Sequence, residues 1–439
     1  MIKMENNSDF ETYTLPNGLT VALKRTASPN IFSNLRINHG ALHEVEGEEG
    51  TAHFLEHMLC EGGTLQHSPE EQARVRGSFG YTNAFTSRST TEIPGGIISS
   101  DLDVYLNMIS QMAFLPLLDK KVLGQQKKVV LSEVSRTKGS PSFEDIQRFF
   151  NPTIARDREH TYFVLGSEDV ITNLNEEKLR SFHIRGYSPN NMVLMLAGNL
   201  PVDIVSKVEK YFGKFNPGFG KPIEFPKVRS LEKRAIRHSF APDLLNKENL
   251  ETSNSYLGIG IVVPDEFHVD SAALTVASEI FGGSWTIGLK KRIRSDEGLS
   301  YDIGSTYDGD ENFGYFGIGG KIIARRQEEA VSIVFEELGK LKNERLDPDE
   351  ISRAKKRLKY ESTNVLCKMG MIVGIDPLNV VEIAKMSRVF EGRPSIEKKL
   401  EEIENVSSGD IQRVANLYLP SDREHGNYVL LLRDPLKEN

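Results

Sequence analysis

The chain has 439 residues, of which 38% are apolar and 26% charged, and this composition is typical of a globular protein with more than one domain. Its net charge of −8 argues against general nucleic-acid binding, and no run approaches the roughly 20 apolar residues of a membrane span. With no leader-like pattern at the N-terminus and only two distant cysteines, Cys60 and Cys367, we expect a cytoplasmic protein without a disulfide framework.

The first strong pattern follows a strand-like segment, "LTVALKR", and lies in "GTAHFLEHMLCEGG", residues 50–63. On a helix that turns about 100° per residue, His53, Glu56 and His57 fall on one face, with Cys60 one turn further along. The opposite face carries only apolar side chains: Phe54, Leu55, Met58 and Leu59. We predict a helix that buries its apolar face, ends at the following glycine pair, and presents two imidazoles and a carboxylate together.

This histidine pair is suited to a zinc site. Neutral imidazoles four residues apart can bind one Zn²⁺, and a catalytic zinc takes a third protein ligand and keeps an open position for water. The carboxylate of Glu56 would then be the general base that takes a proton from that water. The order H-x-x-E-H is the reverse of the commoner H-E-x-x-H. Two surface histidines on an amphipathic helix would give the same pattern, so a third ligand is needed to distinguish a zinc site from this alternative.

The next segment, "GYTNAFTSRSTTEI" at residues 80–93, is rich in threonine and contains aromatic and β-branched residues, with no proline before Pro94. This composition predicts a strand from Tyr81 to Ile93. An exposed strand edge can pair with an extended peptide through the backbone, which gives binding that tolerates many sequences. An ordinary interior strand is the alternative.

Residues 119–136, "DKKVLGQQKKVVLSEVSR", have helical periodicity. The apolar arc of this helix contains Val122, Leu123, Val129, Val130 and Val134. Glu133 falls inside the arc, and so does Gln126. A buried carboxylate is unfavourable unless something pairs with it, and zinc would be a sufficient partner. We therefore predict Glu133 as the third ligand, against the alternative of a partly exposed glutamate whose stem lies along the surface.

A proline- and glycine-rich stretch, "FNPGFGKPIEFPKVRS", interrupts the periodic pattern near the middle of the chain. Each half opens with strand-like segments and closes with a charged amphipathic helix, a "Y-x-P" or "Y-L-P" turn and an apolar strand. We predict an α+β fold of two duplicated domains, each a mixed or antiparallel sheet flanked by helices, at residues 8–214 and 234–437 with a linker at 215–233. Many α+β chains share this order of elements, so two unrelated domains are the alternative.

The combination of "HFLEH" with the later "VVLSEV" resembles the pitrilysin family of inverzincin metallopeptidases, which includes insulin-degrading enzyme and the mitochondrial processing peptidase. "GYTNAFTSRSTTEI" is similar to the family's substrate-binding edge strand, and "LKKRIRSDEGLSYDIGS" is similar to its R-x6-Y element. The resemblance runs from about Phe10 to Leu432. It implies zinc ligands at His53, His57 and Glu133, a base at Glu56, and substrate-binding residues at Asn83, Ala84, Phe85, Thr86, Arg294 and Tyr301, the last two also completing the active site.

The resemblance also implies an assembly. Family members enclose a peptide substrate between two halves, each made of two such domains, so this chain would form half of a clamshell. Because the chain carries both the zinc-site residues and the Arg294 and Tyr301 element, the resemblance implies a homodimer with composite active sites and one Zn²⁺ per subunit. The expected activity is that of a zinc-dependent endopeptidase acting on peptides or on unfolded or precursor segments. A non-catalytic assembly subunit of the same fold is the alternative, and the sequence does not separate a peptide scavenger from a protease that matures one precursor.

Two positions depart from the family pattern. Gln126 stands seven residues before the third ligand, where many members carry a glutamate, so any role there would be that of an uncharged hydrogen-bonding amide. Trp285 lies in the glycine-rich turn "FGGSWTIGL", where small residues are more usual, and this predicts a different shape of the substrate pocket. We expect Cys60 to be a small packing residue, and the alternative is a thiol whose oxidation or alkylation blocks the site.

Overall fold

A computed structural model describes residues 3–6, 9–139, 164–218, 234–239, 254–309, 314–372 and 376–434. The chain divides into two compact units. The first contains Met1–Gly139, His160–Glu224 and Thr363–Gly392, and the second contains Ser140–Glu159, Phe225–Ser362 and Arg393–Asn439. Within the described ranges, no helix combines the length and the apolar character needed to cross a membrane.

Strands and helices alternate along both units, as expected for an α+β protein. The described strands are β1 Lys3–Asn6, β2 Glu11–Thr14, β3 Thr20–Arg25, β4 Asn30–Ile37, β5 Tyr81–Thr82, β6 Phe85–Thr86, β7 Thr91–Ile98, β8 Met192–Gly198, β9 Arg234–Ser239, β10 Asn254–Val263, β11 Gly304–Gly309, β12 Gly314–Ile323 and β13 Val429–Asp434. The described α-helices are α1 Thr51–Glu61, α2 Pro69–Arg76, α3 Leu102–Phe114, α4 Lys120–Gly139, α5 Glu168–Asn173, α6 Glu176–Gly186, α7 Ile204–Phe212, α8 Ser271–Ser278, α9 Gln327–Asn343, α10 Pro348–Ile372, α11 Pro377–Phe390, α12 Ile396–Asn405 and α13 Ser408–Tyr418.

The first unit is built on a mixed sheet in the order β1-β2-β3-β8-β4-β7-β5, with β6 also paired to β7. β3 and β8 are parallel, and the other neighbours are antiparallel. One face of this sheet contributes Val21, Ile31 and Leu194 to a core that also contains the buried residues of α1, α3 and α4. Because α1 and α4 share this core, side chains on the two helices can converge.

The opposite face of the same sheet is covered by α11, which comes from far along the chain. Ala22 and Phe32 point to this face and pack in one cluster with Val380 of α11. The sequence predicted that residues 234–437 form the second domain, whereas the structure assigns Thr363–Gly392 to the first unit because α11 buries its apolar side there. Most of the predicted linker lies outside the described residues.

The second unit repeats the arrangement of the first. Its sheet has the order β11-β12-β10-β13-β9, in which β9 and β13 are parallel and the other neighbours are antiparallel. Reading each unit from its parallel pair, β9-β13-β10-β12-β11 matches β3-β8-β4-β7-β5 strand for strand. Leu257, Phe316 and Leu430 of this sheet share a core with α8, α9 and α13. The predicted α+β fold of two similar halves is therefore confirmed.

Candidate functional site

Helix α1 is anchored at its N-terminus by a buried carboxylate. Gly50 precedes the helix in the left-handed region, with φ 89°, and a side chain there would collide with the backbone of Leu165 and Gly166. The two oxygens of Glu44 accept hydrogen bonds from the backbone N–H groups of Gly50, at 3.0 Å, and Ala52, at 2.8 Å. These bonds satisfy donors that the helix itself leaves unpaired, while burial raises the pKa of the Glu44 carboxyl well above its ordinary value.

The apolar face of α1 is buried as predicted, since Phe54, Leu55, Met58 and Leu59 have no exposed surface. The helix ends at Gly62, whose N–H donates to the carbonyl of Met58. The orientation of α1 is thus fixed at both ends and along one side. Its other side carries the polar residues that the sequence singled out.

His53 and His57 project from α1 toward Glu133 of α4. Glu133 Oε2 lies 3.8 Å from His53 Nε2 and 3.7 Å from His57 Nε2. One ligand atom of each residue lies within 4.8 Å of the others. The three side chains are largely buried, with exposed fractions of 12%, 17% and 28% for His53, His57 and Glu133. Across the part of the chain that the structure describes, this is the one cluster of His, Cys, Asp or Glu side chains with the geometry of a metal site.

The hydrogen bonding and burial of the two imidazoles suit a metal. Gln126 Oε1 lies 3.0 Å from His57 Nδ1 and can only accept, so Nδ1 donates this hydrogen bond and Nε2 is the ring nitrogen that faces Glu133. Burial, together with neighbouring His57, lowers the pKa of His53 to about 3, which keeps this ring neutral. His53 Nδ1 is buried and has no hydrogen-bond partner among the described residues. Two imidazoles and a carboxylate form a donor set that fits Zn²⁺.

Glu56 lies on the same face of α1, between the two histidines. Its side chain is nearly buried, and its Oε2 accepts a hydrogen bond of 3.1 Å from the hydroxyl of Thr86 on strand β6. Burial raises the pKa of Glu56, an effect that His57 and the Thr86 hydrogen bond oppose. A carboxylate with a raised pKa accepts a proton more readily near neutral pH, as a general base must.

Residues 81–93 form an edge of the first sheet, although not as the single strand that was predicted. They fold as a hairpin, in which β5 and β6 pair with β7 after a turn at residues 87–90. Between the two short strands, the N–H of Asn83 donates to the carbonyl of Pro94 at 3.2 Å, and Ala84 is buried. Phe85 is 45% exposed. The path of described strands ends at this hairpin, so its outer edge is available for backbone pairing.

Arg294 and Tyr301 lie together in the second unit. The Nη1 group of Arg294 donates to the backbone carbonyl of Tyr301 at 2.7 Å, and its guanidinium lies 4.3 Å from the centre of the Tyr301 ring. On its other side the guanidinium lies 4.7 Å from the ring centre of Trp285. Trp285 is 53% exposed and Tyr301 is 79% exposed. The position where the sequence departs from the family pattern is therefore in direct contact with the predicted substrate arginine.

Glu44 differs from what the sequence suggested most readily, whereas Cys60 matches its expected packing role. Glu44 lies in an acidic run, "HEVEGEEG", which is typical of a solvated loop, yet its carboxylate is buried beneath α1. Cys60 is also buried, and burial raises the pKa of its thiol to about 12, so the thiolate that reacts with oxidants is suppressed. This favours the packing role of Cys60 over the reactive one.

Two family models match separate parts of the chain. The family model described as "Insulinase (Peptidase family M16)" matches residues 20–153, and the model "Peptidase M16 inactive domain" matches residues 173–358. The chain is 26% identical to "uncharacterized zinc protease YmxG" of Bacillus subtilis (strain 168) over 362 residues, which are 81% of this chain and 85% of that protein.

Two solved structures share the fold. A peptidase M16 inactive domain from Pseudomonas fluorescens superimposes with a TM-score of 0.81 at 17% identity, covering 98% of this chain and 99% of that chain. The periplasmic protease PqqL from Escherichia coli gives a TM-score of 0.74 at 15% identity, and the match covers 99% of this chain but 48% of PqqL. This chain therefore corresponds in fold to about half of PqqL.

Proposed function

Because this chain belongs to the M16 peptidase family, we propose that it is a zinc-dependent endopeptidase that cuts peptides or unfolded or precursor segments. The observation that supports this most directly is the convergence of His53, His57 and Glu133, with the nearly buried Glu56 beside them. A relative named a zinc protease supports the choice of metal. Surface histidines that had no metal to bind would not need a third ligand from a separate helix.

In the proposed mechanism, His53, His57 and Glu133 hold one Zn²⁺ per chain. When bound, the metal would polarise a water molecule and the scissile carbonyl. Glu56 takes the proton of the attacking water and later passes it to the leaving amine. The Thr86 hydroxyl donates to Oε2 of this carboxylate and so orients the base.

The edge hairpin supports the choice of an extended substrate. In the proposal, the backbone of Asn83–Thr86 pairs with the peptide, while the exposed ring of Phe85 contacts a substrate side chain. Thr86 links substrate binding to the base, because it lies on this edge and its hydroxyl donates a hydrogen bond to Glu56. Arg294 and Tyr301 would donate to substrate carbonyl oxygens and complete the active site.

We further propose a homodimer, in which the Arg294 and Tyr301 element of one subunit serves the zinc site of the other. The fold match to about half of PqqL supports a chain that needs a second copy to enclose its substrate. Sedimentation velocity with activity measured across a dilution series tests this. Loss of activity as dimers dissociate is expected, and an active monomer would contradict the composite site. A cytoplasmic location stays a prediction, as does the choice between scavenging and precursor maturation.

The deciding experiment combines zinc content with one substitution. Wild-type protein should contain one zinc per chain and cleave unfolded polypeptides. Glu56→Gln should keep both zinc and fold but lose about 10²- to 10⁴-fold in kcat, because only the proton acceptor is removed. Glu336→Gln, at an exposed residue of the second unit, provides a control with the same chemical change.

Peptides that remain bound to purified Glu56→Gln protein, identified by mass spectrometry, would define the substrate. An active Glu56→Gln variant would contradict the base assignment. Absence of stoichiometric zinc from the wild type would favour the non-catalytic assembly subunit instead.

A further inference from the structure

Trp285 is the only tryptophan of the chain, and its half-exposed ring carries two cations. Lys290 Nζ lies 5.3 Å from the ring centre, and the guanidinium carbon of Arg294 lies 4.7 Å from it. Contact with an aromatic face stabilises a cation without neutralising it. The indole therefore gathers two positive charges at the protein surface.

Neither cation has a carboxylate partner among the described residues. Lys290 donates only to the carbonyl of Gly283, at 3.5 Å, and Arg294 donates to the carbonyl of Tyr301. The two basic residues between them are paired. Lys291 bonds to Asp296, and Arg292 lies within 4.0 Å of four carboxylates, those of Asp296, Glu297, Glu336 and Glu337. In an acidic chain, two cations that contact the same indole and have no carboxylate partner among the described residues are placed to receive an anion.

The turn that carries Trp285 is held in place by hydrogen bonds to one buried carboxylate, that of Glu350. The hydroxyl of Ser284 donates to Glu350 at 2.9 Å, and the hydroxyl of Thr286 donates to the same carboxylate. Glu350 is buried and is held in turn by Arg353 at 2.7 Å. Both neighbours of Trp285 are thus fixed to one buried group, which limits the movement of the ring before any ligand arrives. A preorganised contact loses less entropy on binding.

We propose that Trp285, Lys290 and Arg294 form a carboxylate-binding subsite, which gives the enzyme a preference for peptides that carry an acidic side chain or a free C-terminus. This rests on the proposed function, because it assigns a substrate preference to the same peptidase. The Nζ of Lys290 and the free N–H groups of Arg294 bind the carboxylate, and the exposed faces of Trp285 and Tyr301 contact the apolar part of the same residue. A backbone carbonyl needs one donor, whereas two uncompensated cations match a full negative charge.

The test uses Glu56→Gln protein, so that peptides bind without being cut, and reads the fluorescence of the single tryptophan. Three peptides of one length are compared: an amidated peptide with one internal glutamate, the same amidated peptide with glutamine, and the glutamine peptide with a free C-terminus. The peptides with a carboxylate should change the Trp285 emission and bind about three- to fivefold more tightly than the amidated glutamine peptide, an advantage expected of a partly exposed ion pair. Added salt should remove the advantage. The comparison between the two carboxylate peptides identifies the preferred source.

Substitutions then locate the effect. Lys290→Gln should abolish most of the advantage, whereas Lys356→Gln, which removes the same charge from an exposed helix position in the same unit, should keep it. With a labelled peptide and anisotropy as the readout, Trp285→Phe should retain most of the preference, because it keeps an aromatic face, and Trp285→Ala should lose it.

Equal binding of all three peptides, or equal behaviour of Lys290→Gln and Lys356→Gln, would overturn the subsite. Carboxylate-selective binding by a wild-type protein that has neither zinc nor turnover would contradict the peptidase assignment and leave the subsite standing. Cleavage without any carboxylate preference would support the peptidase assignment and overturn the subsite.

Discussion

The two units share one order of five strands, in which β4 of the first unit matches β10 of the second. The helices that follow these two strands, α1 and α8, differ in the side chains that they carry. In the first unit, α1 buries one side and directs His53, Glu56 and His57 away from the core. In the second unit, α8 has the sequence "SAALTVAS", and all of its residues except Thr275 are buried. One copy of the fold therefore carries the candidate metal ligands, while the other uses the same position for packing. Shared topology does not imply a shared site.

The units also differ in how this helix continues. Helix α1 stops at Gly62, whereas α8 continues directly into one π-helical segment, Glu279–Gly283, and a second, Lys290–Asp296, follows further along the chain. π-helical turns are less favourable than α-helix and are frequent at functional sites. Here they flank the turn that carries Trp285, and the second of them contains Arg294. Within its described residues, the second unit thus lacks a metal cluster and instead carries Lys290 and Arg294 against an exposed indole.

The largest expected effect on folding concerns the start of α1. Glu44→Ala should destabilise the first unit by about 2–4 kcal/mol, because it leaves the N–H groups of Gly50 and Ala52 buried and unpaired. Urea unfolding, with hydrogen exchange of these two amides, measures the effect. Glu46→Ala, in the same acidic run but exposed, should change little. Equal stability of both variants would mean that the carboxylate does not anchor the metal helix.

The next effect concerns metal affinity. Gln126→Ala should weaken zinc binding about 10- to 100-fold, because the acceptor that fixes the tautomer of His57 is lost. Gln126→Glu should retain binding, since a carboxylate can accept the same hydrogen bond. Gln125→Ala, at the exposed neighbouring position, is the control. Competition against a chelator measures these affinities, and an unchanged value for Gln126→Ala would remove the positioning role.

The smallest effect concerns the residue before α8. Asp270 does not cap that helix; its carboxylate accepts hydrogen bonds of 2.6 Å from both Arg413 and Tyr418. The hydrogen bond from Arg413 lowers the pKa of Asp270 below its ordinary value of 3.8, and Tyr418 adds to this. The stability that Asp270 contributes is therefore fully present above pH 3.8 and is lost as the pH falls through the lowered folded-state pKa.

Denaturation of wild type and Asp270→Asn across this pH range tests the linkage. The stability difference between the two proteins should shrink as the pH falls below 3.8. A stability difference that stayed constant with pH would show that the ionised carboxylate of Asp270 does not stabilise the fold.

The convergence of the candidate metal ligands could largely be predicted because these residues follow a helical period. The separation of His53 and His57 from the apolar face of α1 is visible in the sequence, and Glu133 was identified as a carboxylate on an otherwise apolar arc. The arc itself was only partly correct, since Val129 is 43% exposed. The hydrogen bond from Thr86 to Glu56 was not predicted, because it depends on how a hairpin packs against α1 and not on any period.

The domain boundary was harder to predict for a different reason. The periodicity of α11 indicates a helix with one apolar side, but not which sheet that side covers. A signal was nevertheless present in β8, whose sequence "MVLMLAG" is apolar at every position and is buried throughout. Alternation is expected of a strand with one solvated face, so a continuous apolar run indicates cover on both faces. The segment that supplies the second cover lies far beyond the middle of the chain.

Because α11 packs against the first unit, it limits where the chain can be cut to give a folded fragment. A fragment cut near residue 214 would retain every candidate metal ligand, yet it would expose the apolar surface around Phe10, Phe32 and Met195 that α11 normally shields. Such a fragment would tend to aggregate. Supplying residues 363–392 as a separate peptide, or fusing them to the fragment, would restore the missing layer. The unit that holds the candidate metal ligands is thus encoded in separate segments, and its last segment is synthesised only after most of the other unit.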